Sequence, residues 1–144
     1  MVFWRKKVVE VKPAKVGDCK RESGERRRSY KQRKSFEIRR SEADEIMRRF
    51  PDKIPILIER FKNETVLPQI DKMKFLVPAD VTAGQLILLV RERLKVTSSQ
   101  TSMYLLVNGR QLPCVTITTR EMYEQYHDKD GFVYLSYSSH ECYG

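Results

Sequence analysis

The sequence predicts an α+β domain: one mixed β-sheet with a helix packed across a single face and further helix on its N-terminal side. Three observations lead there. Apolar residues recur at helical spacing between Phe36 and Phe50. Runs of aliphatic and β-branched residues at 53–61, 73–78, 103–107 and 132–138 have the length and composition of strands. Thr82 with Gln85, and Thr118 with Glu121, each form the capping-box pattern that opens a helix, and each lies between two of those strands.

Taken in order, Phe36, Ala43, Ile46, Met47 and Phe50 make one apolar stripe among Arg and Glu, and Pro51 ends that helix. KIPILIERF at 53–61 is a strand; the turn-like Lys62-Asn63-Glu64 follows, and MKFLVP at 73–78 is the next strand. After Thr82 the segment QLILLVRERL places Leu86, Leu89, Val90 and Leu94 on one helical face. MYLLV at 103–107 runs into Asn108-Gly109, a pair suited to the positive φ angles of a tight hairpin, so a return strand through Gln111 and Leu112 is expected. A short helix from Thr118 to Tyr126, the turn Asp128-Lys129-Asp130-Gly131 and a last strand at 132–138 complete the chain. A helix followed by β-β-α-β-β-α-β is the order of the β-grasp domain of ubiquitin, here with additional N-terminal helix packed on it.

The 144 residues, 40% apolar and 33% charged, suffice for one ordinary core. The charge of +9 is concentrated at one end: Met1–Lys34 holds thirteen Lys and Arg against four Asp and Glu, and the remainder carries no net charge. Residues 1–28 therefore read as a basic segment without fixed structure, apart from a short β-like VVEVK at 8–12, and 29–144 as the folded domain with a flexible C-terminal glycine tail. A basic tail on a neutral domain argues against a nucleic-acid-binding fold as a whole and leaves the tail alone as a polyanion contact. Cys19, Cys114 and Cys142 have no motif spacing and suit a reducing, cytoplasmic compartment. The longest apolar run, Leu86 to Val90, is too short to span a bilayer, and Val2-Phe3-Trp4 ahead of Arg5-Lys6-Lys7 does not have the order of a signal peptide. Membrane attachment is expected to be peripheral or covalent.

Five strings are more specific than periodicity: SYKQRKSFEIR at 29–39, FPDKIPILIERF at 50–61, LPQIDKMKFLVPADVT at 67–82, YLLVNG at 104–109 and DKDGFVYLSYSS at 128–139. In these the chain closely resembles the ubiquitin-like autophagy modifiers, which include the microtubule-associated protein light chains and the GABA-receptor-associated proteins. The resemblance covers Ser29 to Gly144. It implies that Gly144, a glycine whose carboxylate no side chain obstructs, is activated and joined to phosphatidylethanolamine on autophagosomal membranes. The chain would be the substrate of that chemistry and not its catalyst. No other cofactor is expected. Family precursors often extend past this glycine and are trimmed by a cysteine protease; with none of those residues present, the chain is expected to need no processing, or to represent a mature or a truncated form.

The resemblance also implies peptide binding by strand addition at Met73–Val77. It assigns an aromatic pocket to Ile46, Pro55, Lys74, Leu76 and Phe132, and an aliphatic pocket to Phe75, Val77, Pro78, Leu86, Leu89 and Val90. Alternation along the strand fits, since successive side chains point to opposite faces. Arg33, Lys34, Lys72 and Lys74 would meet acidic residues flanking an aromatic-x-x-aliphatic motif in cargo receptors and adaptors. Arg93 matches a basic position used toward processing or conjugation partners. Substituting Phe75 or Leu76 by Ala is expected to abolish peptide binding and spare lipidation.

His140 and Cys142 lie two apart but offer no third orienting group or further ligand, so neither catalysis nor metal binding is expected. A reading from another class is a non-covalent adaptor whose basic arm binds microtubules (tubulin) or RNA. It predicts salt-sensitive binding lost with residues 1–28, and no membrane transition that depends on Gly144.

Overall fold

The computed structural model describes residues 9–10, 28–70, 73–96, 101–112 and 114–140, the first pair by its backbone. The elements are β1 (Val9–Glu10), α1 (Tyr30–Arg33), α2 (Phe36–Arg49), β2 (Lys53–Arg60), β3 (Lys74–Pro78), α3 (Ala83–Arg93), β4 (Tyr104–Val107), β5 (Arg110–Gln111), α4 (Thr119–Tyr126) and β6 (Val133–Ser138). The α+β order expected from sequence is present.

Local chemistry sets the helix starts. The Thr82 hydroxyl accepts the Gln85 N–H and the Gln85 side chain returns to the Thr82 N–H, so both halves of the box open α3. The Thr118 hydroxyl caps α4 through Glu121 N–H, and Ser35 caps α2 through Ile38 N–H. A further box, Ser29 with Gln32, opens the single turn α1. Asn108 and Gly109 both take positive φ, 51° and 79°, which closes the β4–β5 hairpin.

The strands form one six-stranded sheet in the order β1-β3-β2-β6-β4-β5. Its centre is the parallel pair β2–β6, and every other pairing is antiparallel. Ile54, Ile56, Ile58, Phe75, Val77, Leu105, Val107, Val133 and Leu135 turn to one face, where they pack with Leu86, Leu89 and Val90 of α3 and Met122 of α4. The opposite face carries a smaller cluster of Tyr30, Ala43, Leu57 and Phe132, with Ile46, Met73 and Tyr134 against it. The sheet is therefore covered by α3 and α4 on one side and by α1 and α2 on the other.

Val9–Glu10, inside the β-like VVEVK stretch of the basic segment, is a strand hydrogen-bonded to β3; the edge that it joins was not legible in the sequence. Short tail strands take their stability from the edge that receives them, and periodicity within the tail does not register that edge. The turn α1 was also absent from the element-by-element reading; its box Ser29-x-x-Gln32 carries the same signal that was used at Thr82.

Candidate functional site

The edge of the core sheet formed by β3 separates two differently lined faces. On the α3 side, Phe75, Val77, Leu86 and Val90 have no exposed surface and Leu89 is 5% exposed. These five come together as expected, but as closely packed core and not as the walls of an open pocket. Pro78 is buried at the end of β3, one step out of the Phe75–Val77 alternation, and lines a cleft with Asp52, Lys53, Asp80 and Arg120.

On the α2 side, two members of the expected aromatic set share one cluster and two more are neighbours across the strands. Phe132 and Ile46 belong to the Tyr30–Leu57 cluster, while Pro55 of β2 and Leu76 of β3 stand directly opposite each other in register. Tyr30 meets Phe132 edge to face at 5.6 Å. Leu76 is 2% exposed.

The cations beside this face are not independent. Lys34 Nζ lies 2.5 Å from Glu42 Oε1 and Lys74 Nζ 2.8 Å from Glu42 Oε2, and the Tyr30 hydroxyl donates to the same carboxylate. Both ammonium groups also approach the Tyr30 ring, at 5.3 Å for Lys34 and 5.0 Å for Lys74. Burial by itself would raise the Glu42 carboxyl; hydrogen bonds from Lys34, Lys74 and Tyr30 outweigh that and hold it at about 2. Burial, with the Glu42 hydrogen bond, pushes the Tyr30 hydroxyl up. Glu42 thus neutralises part of the charge of Lys34 and Lys74, two of the residues expected to meet acidic ligands. Arg33 donates to Met73 Sδ at 2.8 Å. Arg93 is exposed in the last turn of α3. Lys72 and Gly144 lie outside the described residues.

A second carboxylate governs where the last strand ends. Glu64, 5% exposed, accepts the backbone N–H groups of Thr65, Val66 and Leu67 at 3.0, 2.8 and 3.2 Å. It also accepts the Ser139 hydroxyl at 2.8 Å and the Ser139 backbone N–H. Burial would raise this carboxyl too, but the Ser139 and loop hydrogen bonds prevail and hold it at about 2. Tyr137 adds a second tie, donating to Pro68 O at 2.6 Å and accepting from Ile70 N–H at 2.9 Å. The sequence marked Glu64 only as part of a turn, and Glu42 only as one acid on a polar helix face.

A family profile described as "Autophagy protein Atg8 ubiquitin like" matches residues 38–144. The chain belongs to this Atg8 ubiquitin-like family. Its relatives include human "Microtubule-associated protein 1 light chain 3 gamma", 44% identical over 117 residues, which are 81% of this chain and 79% of the relative. "Protein lgg-2" of Caenorhabditis elegans is 40% identical over 81% of this chain and 88% of its own length. "Autophagy-related protein 8" of Mycosarcoma maydis is 37% identical over 82% of this chain and 98% of its own length. An Atg8-family chain is a ubiquitin-like autophagy modifier, and the expected fold and family are thereby established. Among the described residues, no helix is long and apolar enough to cross a membrane.

Proposed function

We propose that this Atg8-family chain is conjugated through Gly144 to phosphatidylethanolamine on autophagosomal membranes and there recruits cargo receptors by strand addition at β3. It is the substrate of the family's activating and conjugating enzymes and its processing protease, with Arg93 as one contact, and it moves from cytoplasm to membrane on lipidation. The observation that carries the recruiting half is the outer edge of β3, which pairs with an added antiparallel strand at Phe75 and Leu76. The conjugating half is supported by the family match, which extends to Gly144.

The test compares wild type with Gly144→Ala in autophagy-competent cells under starvation, using gel mobility, membrane fractionation and phospholipase D. A faster-migrating, membrane-bound, phospholipase-sensitive species only in the wild type supports the proposal. Conjugation-dependent membrane binding of Gly144→Ala overturns Gly144 as the acceptor. The adaptor reading rests on the charge concentrated in Met1–Lys34 and on the microtubule association in the human relative's name. It requires salt-sensitive polyanion binding through residues 1–28 and no effect of Gly144.

A further inference from the structure

Without β1 the sheet would end at β3, and the free row of N–H and C=O groups along Lys74–Val77 would be open to any extended chain. It is not fully open. Val9 lies opposite Leu76 and Glu10 opposite Phe75, in antiparallel register, so the chain's own N-terminal segment occupies the middle of that edge. Leu76 and Phe75 are the centre of the stretch to which receptor strands were assigned above. One row of backbone donors and acceptors pairs with one strand at a time. A receptor strand and β1 therefore exclude each other.

We propose that β1 is a resident occupant of the receptor edge, held in cis, which a receptor motif must displace before it binds. The inference rests on the strand-addition reading of β3 and adds a gate to it. Among the described residues, two of β1 pair with β3, against five along the β2–β3 ladder. Residues 11–28 join β1 to the Ser29 cap of α1, so the strand competes as an intramolecular ligand, at an effective concentration on the order of millimolar for a short linker. A segment with an intrinsic dissociation constant of about 0.1 mM would then weaken a receptor peptide about tenfold.

The gate is tested on the full chain and on two full-length variants, Val9→Pro/Glu10→Pro, which removes the N–H donors of β1, and Val9→Thr/Glu10→Thr, which keeps them. Two readouts are taken: hydrogen exchange of the Lys74–Val77 amides without ligand, and binding of a synthetic acidic peptide containing Trp-Ala-Ala-Leu by fluorescence anisotropy. The expected result is faster exchange and about tenfold tighter peptide binding in the proline variant, with the threonine variant close to the parent. Unchanged exchange in the proline variant overturns the occupancy. Faster exchange with unchanged affinity overturns the competition while leaving peptide recruitment intact. Failure of every form to bind the peptide overturns the receptor reading and the gate together. Protection that grows with protein concentration would place the strand on a second copy and overturn the cis arrangement.

Discussion

The Glu64 carboxylate holds Ser139 by both its backbone N–H and its hydroxyl, the latter at 2.8 Å, across 75 residues of sequence. The last residues before the glycine tail are thus anchored to the loop that follows β2. The same carboxylate organises that loop by accepting three successive backbone N–H groups. One buried charge fixes both the loop and the point from which the tail departs.

Replacing Glu64 by Gln should destabilise the fold by about 1–3 kcal/mol, since the charged acceptor is lost while its donors stay buried. Chemical denaturation at neutral pH measures it. The acid dependence gives a second check. Because the folded carboxyl is depressed to about 2, its contribution is complete above pH 4.5 and is lost as the pH falls from there toward 2. The stability difference between wild type and Glu64→Gln should shrink over that interval; a constant difference would mean that Glu64 is not the titrating group.

Asp130 is fully buried, pairs with Arg39 at 2.7 Å, and accepts both the Tyr134 hydroxyl and the Phe132 N–H. It ties α2 to the turn before β6. Asp130→Ala leaves the largely buried Arg39 uncompensated and should cost about 3–5 kcal/mol in denaturant unfolding. A loss below about 1 kcal/mol would show that water replaces the carboxylate.

The adjacent Gly131 has a φ of 94°, and a Cβ there would meet the Ala43 Cβ at 3.0 Å. Gly131→Ala should lower the unfolding free energy through both backbone strain and crowding against α2, by more than about 1 kcal/mol, read from denaturant unfolding. Combining it with Ala43→Gly separates the causes: the crowding part is relieved and the strain part stays.

Phe75→Ala should reduce stability by about 3–5 kcal/mol, because Phe75 has no exposed surface and packs in the main core. Phe75→Ala is therefore not a clean loss-of-binding variant, since a lost interaction would follow from lost packing as well. Equilibrium unfolding with stability unchanged would contradict the core placement.

Glu42→Gln removes the shared countercharge of Lys34 and Lys74. Under the proposed recruiting function, an acidic receptor peptide should bind a few-fold tighter at low salt, and the gain should fade as salt is raised. Titrations across a salt series decide it. Equal or weaker binding would show that Glu42 serves the site by orienting the lysines and not by masking them.

Much of the fold was legible because its signals are local. Thr82 with Gln85 and Thr118 with Glu121 mark helix starts within one turn, and the alternation around Phe75 and Val77 assigns residues to the α3 face. The same local signals did not distinguish a pocket wall from close-packed core, since both are apolar positions of one element.

By itself, then, the sequence determined the order of the main elements, the identity of the core and the family, all of which depend on residue types and spacings a few positions apart. Only the tertiary structure decided that Glu42 joins Lys34 to Lys74, that Glu64 holds Ser139, that Asp130 faces Arg39 and that Val9 pairs with Leu76. Those partners are brought together by closure of the sheet and the docking of α1 and α2 upon it. In a chain where a third of the residues are charged, which carboxylate meets which cation is set by distance and burial in the folded state, and neither is encoded in local spacing.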